Sequence, residues 1–277
     1  LLIRRDTFKN LSNLIISSCF LYDPFTCSLS RRDKKRGNRK SGINKTNLIG
    51  KERIFDMKLS VIDVSEHQGN IDWKKVRSAG VSGAMIRTGY GVSSPNQVDK
   101  QFYNNLSGCK IVGMPYGFYH YSYAMDVAGT EQEADFCLEL IAGTAPQYPV
   151  AFDMEENTQA ALGKAVCTDM AIAFCNKIRA AGYTPMLYTN LNWATNYIDM
   201  TRIDAAGIDV WMAQYNIQCD YKGAHTMWQY SSKAVIDGIT ANTADMNWCY
   251  KDYTNGSAFI PTPKPKPSYD TYTVMAG

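Results

Sequence analysis

The sequence predicts an α/β fold, an irregular TIM-like barrel of about eight strands with five helices, in the order (β/α)5(β)3. Three observations point to it. From residue 59 onward, short apolar runs alternate with helical stretches, which argues for parallel strands joined by crossover helices. After residue 208 the apolar runs continue, but the intervals between them hold turns rather than helices. No Gly-rich phosphate loop occurs, so a doubly wound open sheet ranks second.

The elements follow in order. Leu59–Val64 reads as a buried strand, and Trp73–Ala79 as a short helix closed by Gly80. Gly83–Thr88 is the second strand and Gln97–Leu106 the second helix. Lys110–Tyr121 contains a third strand, rich in aromatic and β-branched residues. Thr130-Glu131-Gln132-Glu133 has the form of a capping box that opens a helix through Ile141. Val150–Phe152 is the fourth strand. Val166, Met170, Phe174, Ile178 and Ala181 then recur at helical spacing, with Gly182 as the stop. Thr184–Tyr188 is the fifth strand, followed by a short helix near Trp193–Tyr197. Asp209–Tyr215, His225–Tyr230 and Thr243–Asn247 supply the last three strands.

Composition narrows the class. A chain of 277 residues, 45% hydrophobic and 12% aromatic, can bury a substantial core, which excludes global disorder. The net charge of +3 conceals a split: residues 1–56 hold 13 Lys/Arg against 5 Asp/Glu, and the remainder holds 16 against 21. The mildly acidic remainder gives no electrostatic reason to expect a nucleic-acid partner. The run Arg31-Arg32-Asp33-Lys34-Lys35-Arg36 reads as a solvated arm. Eight cysteines contain no C-x-x-C pair, which argues against a zinc ribbon or a redox motif; the six from Cys109 onward read as buried thiols.

No apolar stretch reaches the roughly 18 residues needed to span a bilayer, so no membrane partner is expected. Leu11–Tyr22 is interrupted by Asn13, Ser17 and Ser18 and lacks a small-x-small cleavage site, so it is not a convincing signal peptide. Patterned sequence begins after Met57, which reads as the natural start. Residues 1–56 are then a disordered leader or upstream read-through, and 57–258 the barrel. Residues 259–268 form a Pro/Lys-rich spacer, with too little chain beyond it, 269–277, to fold alone.

The chemistry concentrates where strands run into their following loops. Tyr148-Pro149-Val150-Ala151-Phe152-Asp153-Met154-Glu155-Glu156 is an apolar run ending in acids. Strand periodicity places Asp153 and Glu155 on one side and Glu156 on the other. Asp63 follows the first strand and Asp245 lies near the last, and barrel closure makes those strands neighbours. Four carboxylates on one rim repel one another and raise their pKa values, which suits acid/base work on a glycosidic bond. Each acid alone has a plainer role, as a cap or a solvated turn. Tyr90, Tyr119, Tyr121, Tyr188, Trp211, Tyr215, Trp228 and Tyr230 occupy similar positions, where they stack on sugars or fill the barrel. Gln68, Gln214 and Gln229 add amides at strand ends. The three histidines lack ligand spacing, so no metal is expected; the metal alternative pairs His120 with Asp153.

An ordered set of motifs carries a resemblance. Asp63-Val64-Ser65-Glu66-His67-Gln68-Gly69, Ile71-Asp72-Trp73, Ile86-Arg87-Thr88-Gly89-Tyr90-Gly91, Gly117-Phe118-Tyr119-His120-Tyr121 and Asp153-Met154-Glu155 appear in sequence. Tyr188-Thr189, Trp211-Met212-Ala213-Gln214-Tyr215, Trp228-Gln229-Tyr230 and Asp245-Met246-Asn247 complete it. Together they resemble glycoside hydrolase family 25, the Chalaropsis-type lysozymes or N-acetylmuramidases. The resemblance implies a barrel of eight strands and five helices that needs no cofactor. It implies cleavage of the β-1,4 bond between N-acetylmuramic acid and N-acetylglucosamine in bacterial peptidoglycan. By position, Glu155 is the general acid. Asp153 stabilises charge at the anomeric carbon or orients the acetamido group as an internal nucleophile. Asp63 and Asp245 hold the charge balance and bind substrate. Tyr119 lies near the acetamido group, and Arg87, Tyr90, Gln68, Tyr188, Trp211, Gln214 and Gln229 bind substrate.

Tyr272-Thr273-Val274-Met275-Ala276-Gly277 resembles the truncated start of a LysM cell-wall-binding module. With the spacer and the unconvincing signal peptide, it implies a monomeric, endolysin-like or prophage autolysin. Such an enzyme stays in the host cytoplasm until lysis or is secreted by another route. A non-catalytic glycan-binding barrel is the alternative.

Overall fold

The computed structural model describes residues 58–92, 95–241 and 243–255. The leader 1–56, the spacer and the LysM-like tail lie outside the described residues.

Eight strands close a barrel in sequence order, as the alternation predicts. They are β1 (Leu59–Val64), β2 (Gly83–Tyr90), β3 (Tyr116–Tyr121), β4 (Val150–Asp153), β5 (Pro185–Asn190), β6 (Asp209–Ala213), β7 (Met227–Ala234) and β8 (Ala244–Cys249). Neighbours from β1 to β7 are parallel, whereas β8 pairs antiparallel with both β7 and β1.

The described residues hold six α-helices where the sequence predicts five. These are α1 (Trp73–Ser78), α2 (Phe102–Val112), α3 (Val127–Ile141), α4 (Lys164–Ala180), α5 (Leu191–Asn196) and α6 (Met200–Ala205). The extra helix belongs to the fifth β/α unit, because two caps start two short helices there. The Asn190 side chain accepts from Trp193 N–H, and Asp199 accepts from Thr201 and Arg202. Helix α2 begins later than Gln97, because Asp99 and Gln101 form a turn first. It ends at Gly113, whose left-handed φ of 64° suits a glycine stop. Helix α3 begins at Val127, capped by Asp126, so Thr130–Glu133 lies inside the helix and does not open it. Glu133 is thereby freed to point inward.

Alternation along the strands divides the core into two layers. Outward residues such as Ile62, Ile86, Phe118, Phe152, Leu187 and Met212 pack under the helices. Inward residues such as Val61, Met85, Ala151, Met186, Trp211, Met227 and Cys249 fill the barrel. The Tyr148 ring plugs this interior. A Cβ at Gly83 would stand 2.7 Å from the Tyr148 ring, so only glycine permits the plug.

A similar close approach joins α1 to α2, where a Cβ at Gly108 would overlap the buried Trp73 indole. Alanine ordinarily stabilises a helix interior by about 1 kcal/mol over glycine. Here the overlap reverses the sign: Gly108→Ala is expected to destabilise by about 1–3 kcal/mol. Urea unfolding would measure it, and an unchanged or raised midpoint would show that Trp73 yields freely.

Candidate active site

Strands β1 to β7 run parallel, so their C-terminal ends share one mouth. The antiparallel β8 brings its first residues to that same mouth. Asp63 is next to last in β1, Asp153 ends β4, Glu155 follows two residues later, and Asp245 is second in β8. Asp63 and Asp245 are direct cross-strand partners.

Asp63 is buried and bound by amides. Its Oδ2 accepts from Asn247 Nδ2 at 2.8 Å and from Gln229 Nε2 at 3.1 Å. Gln229 Oε1 in turn accepts from Tyr188 at 3.0 Å and Tyr215 at 3.2 Å. Asn247 Oδ1 accepts from Trp211 Nε1 at 2.7 Å. Each amide thus has its orientation fixed by aromatic donors and presents N–H to the carboxylate. Burial, then the Asp245 charge, hold Asp63 well above the usual carboxylate range, against the two amide bonds. The two carboxyl groups face each other across β1 and β8, and each shifts the other's pKa.

Asp153 is 4% exposed, and its Oδ1 has no hydrogen-bond partner among the described residues. Burial, then the charges of Glu155 and Asp63, raise its pKa well above the ordinary value, while Arg87 pulls it down. Glu155 is half-buried, and its Oε2 accepts from Asn190 Nδ2 at 3.4 Å. Burial raises the Glu155 pKa; Asn190 opposes this, and Asp245 and Glu156 add to it. The four acids are therefore linked by charge, Asp153 to Glu155 and Asp63, Glu155 to Asp245, and Asp63 to Asp245. The geometric route differs. β4 stops at Asp153, so strand periodicity does not place Glu155. A short bonded segment does. Met154 N–H donates to Tyr188 O at 3.1 Å, and Thr189 Oγ1 donates to Met154 O at 3.1 Å. Glu156, set aside by periodicity, accepts from the Tyr121 hydroxyl at 3.0 Å and caps a 3-10 turn over Asn157–Leu162.

The other expected binding residues divide. Tyr119 faces the mouth, edge-on to Trp211 with ring centroids 5.9 Å apart. Burial, then Asp63, raise its pKa, with Arg87 opposing and Asp153 adding. Tyr90 stands at the rim, 6.0 Å from the half-exposed Tyr123, which lies 5.1 Å from Tyr121. Tyr188 and Trp211 are buried at 6% and 1% exposure, so they are the floor beneath Asp63 and present no open stacking face. Gln229 likewise serves Asp63. Arg87 is held by Asp99 at 2.7 Å and Glu66 at 3.1 Å, so its charge reaches Asp153 only through space.

Gln68 and Gln214 do not present free amides to the mouth. Gln68 completes a capping box with Ser65 and donates to Thr243 O at 3.0 Å, tying the loop after β1 to the loop before β8. Gln214 donates to Asp220 Oδ2 and accepts from Asp220 N–H, both at 2.7 Å, closing a six-residue loop. Backbone groups left unpaired by the turns capture these amides first. The site residues missed from sequence are Asn190 and Asn247, and Tyr215, expected as an aromatic face, also serves as a hydrogen-bond donor. Asn247 shares a face with Asp245 by strand period, a signal already present in the sequence. Tyr215 is 60% exposed, yet its hydroxyl joins the Gln229 network. Burial, then Asp245 and Asp63, push its pKa up to about 12.

The metal alternative fails on direction. His120 points outward from β3, stacked on Phe174 and edge-on to Phe136, with both ring nitrogens bonded to Thr88 Oγ1 and Gly91 O. Burial lowers its pKa to about 4. Among the described residues no three His, Cys, Asp or Glu side chains are placed to hold a metal ion.

Asp153 carries a testable cost. Its folded pKa lies above its unfolded value, so the carboxyl favours folding while protonated. That advantage is lost as pH rises through the folded pKa. Asp153→Asn is therefore expected to melt above the unmodified protein at pH 8, by roughly 2–4 °C per kcal/mol relieved in a domain of this size. The gap should close as pH falls towards about 4, the ordinary carboxylate value. Thermal melts across that range would measure it, and a variant less stable at pH 8 would contradict the assignment.

Comparison with known proteins agrees with this geometry. The model of glycosyl hydrolases family 25 matches residues 62–239, more than half of the chain. Asp63, Asp153 and Glu155 lie within that span, and Asp245 just beyond it. An autolytic lysozyme of Clostridium acetobutylicum is 28% identical over 193 residues, covering 67% of this chain and 54% of that protein. The chain thus spans about half the length of that curated relative. The CTP1L endolysin structure superposes with a TM-score of 0.61 at 27% identity, covering 71% of this chain and 67% of that one. The modular autolysin LytC of Streptococcus pneumoniae, solved with a synthetic peptidoglycan ligand, gives a TM-score of 0.61 at 25% identity over 70% of this chain and 47% of that one. On a matched span of more than half its length, the chain belongs to glycosyl hydrolases family 25.

Proposed function

We propose that this chain is a lysozyme that hydrolyses the β-1,4 bond between N-acetylmuramic acid and N-acetylglucosamine in bacterial peptidoglycan. The observation that carries the reading is the pairing of Glu155 and Asp153 in different surroundings at one mouth. Glu155 is half-buried and holds its proton above the usual range, which suits a general acid. It protonates the leaving glycosidic oxygen as the bond to the anomeric carbon breaks, and a water oxygen ends on that carbon as a new reducing end. Asp153 offers a buried acceptor oxygen with no protein partner, a match for the acetamido N–H of the bound sugar. Oriented in this way, the acetamido oxygen faces the anomeric carbon as an internal nucleophile.

Asp63 and Asp245 hold the remaining charge, with Asp63 anchored by its two amides. Tyr90, Tyr123 and Tyr121 on one side, and Tyr215 on the other, offer aromatic faces to the sugar rings. The names of the relatives support action on the bacterial cell wall, as a phage endolysin or a prophage autolysin. The barrel works as a monomer in this reading. No described helix is long and apolar enough to cross a membrane.

Glu155→Gln is expected to lower release of reducing ends from purified cell walls by about 10²–10⁴-fold while leaving the thermal melt cooperative. Mass spectrometry of the digest identifies the bond cut; full retained activity would remove Glu155 from the acid role. Asn190→Ala deletes the bond that lowers the Glu155 pKa. The acid then stays protonated to higher pH, and the alkaline limb of kcat/KM should move upward. A limb that stays in place or moves down would detach that limb from Glu155.

A further inference from the structure

The segment that carries the acid pair is gripped from beneath. Ser122 N–H donates to the Asp153 carbonyl at 3.0 Å, so the start of the β3–α3 loop fixes the end of β4. That loop has two holders. From α3, Glu133 Oε1 accepts from Tyr123 N–H at 2.7 Å and Ala124 N–H at 2.9 Å. From the 3-10 turn after Glu156, Gln159 Nε2 donates to Ser122 Oγ at 2.9 Å and Ala124 O at 2.8 Å. Gln159 N–H also donates to Glu156 O at 3.0 Å, which closes the circuit on the acid segment itself.

Both holders are fully buried polar side chains, at 0% exposure. Each also keeps one oxygen, Glu133 Oε2 and Gln159 Oε1, without a hydrogen-bond partner among the described residues. Burying such groups costs free energy that an apolar pair of similar size would avoid. Stability alone therefore does not account for them; the directed bonds to Ser122–Ala124 do.

We propose that Glu133 and Gln159 are positioning residues of the reaction, which clamp the Ser122–Ala124 loop and through it set where Asp153 and Glu155 stand. The clamp rests on the lysozyme reading above, and it touches neither substrate nor the reacting atoms. It also holds Tyr123, so the same loop aligns an aromatic rim residue with the acids. The clamp needs an acceptor at Glu133 Oε1 but no negative charge. Burial pushes the Glu133 carboxyl up to about 6, against Ser122 Oγ and the two N–H groups, and no charged side chain contributes.

Gln159→Met keeps the volume and removes the bonds. Glu133→Leu removes the acceptor, and Glu133→Gln keeps it. Gln159→Met and Glu133→Leu are expected to lower kcat by about tenfold to a hundredfold, the scale of an ångström-sized misplacement. KM should change less than about threefold, and the alkaline limb assigned to Glu155 should move, because its distances to Asn190, Asp245 and Glu156 change. Glu133→Gln should restore kcat to within about threefold of the unmodified chain. The full chain is assayed on purified peptidoglycan beside Glu155→Gln as the dead control. Should the unmodified chain release no reducing ends, the lysozyme reading fails. Should it be active while a cooperatively melting Gln159→Met keeps its kcat and pH profile, the clamp is overturned. If Gln159→Met does not fold, the same criterion applies to Ser122→Ala, which removes one hydroxyl acceptor and leaves the N–H bond to Asp153.

Discussion

Strand β8 runs antiparallel to β1, so its first residues, rather than its last, reach the mouth of the barrel, and Asp245 lands directly opposite Asp63. Two carboxyl groups in that register cannot both carry full charge without several kcal/mol of repulsion in a buried setting. Much of the surrounding structure answers this constraint. Gln229 and Asn247 supply two N–H donors to Asp63, and burial with the Asp245 charge raises its pKa and so favours the neutral carboxyl. The amides are in turn fixed by Tyr188, Tyr215 and Trp211, which explains why Tyr188 and Trp211 are turned into the barrel. Closing the barrel with a parallel strand would have sent the start of β8 to the opposite end and broken this network.

The missing helix between β7 and β8 follows from the same closure, because an antiparallel return needs only a loop. The parallel step from β6 to β7 instead crosses through residues 214–226 without a helix. Those loops are then stiffened by side chains. Asp220 and Gln214 lock one of them, and the Trp228 indole donates to Gln214 O at 2.8 Å. The other is pinned by a backbone bridge between Ile71 and Ile239 and by Gln68 on Thr243. Amides that look, in sequence, like sugar ligands are consumed in this way.

The barrel was legible because strand and helix periods differ and because the change after residue 208 is abrupt. The acids were legible because apolar runs end in them, and closure makes Asp63 and Asp245 neighbours. Side-chain direction beyond the last strand residue was not legible. Glu155 owes its place to Thr189 and Tyr188, and Asn190 reaches it from a strand far away in sequence. Glu133 shows the opposite failure. Its spacing from Thr130 matches a capping box, but Asp126 already caps the helix one turn earlier. The pattern therefore named a local role for a residue whose bonds are tertiary, at Tyr123 and Ala124. Local motifs are satisfied first by the nearest unpaired backbone group, and the sequence does not say which group that is.

The division of roles between the two inner acids can be argued from their partners alone. Asp63 has two amide donors, so its carboxylate is already managed by protein groups. Asp153 has none of these at Oδ1. The positive group that acts on it, Arg87, is saturated by Asp99 and Glu66 and lends only a field. A buried acceptor left in this state is costly, and the cost falls when a ligand brings a donor. In the proposed reaction, a sugar that brings a donor relieves Asp153 and leaves Asp63 nearly unchanged. A group whose environment improves as the sugar arrives is suited to orient it. A group whose environment is already complete is suited to keep the pocket's charge fixed while the proton leaves Glu155. Seen in this way, the four acids are two held by the barrel, Asp63 and Asp245, and two left for the substrate, Asp153 and Glu155.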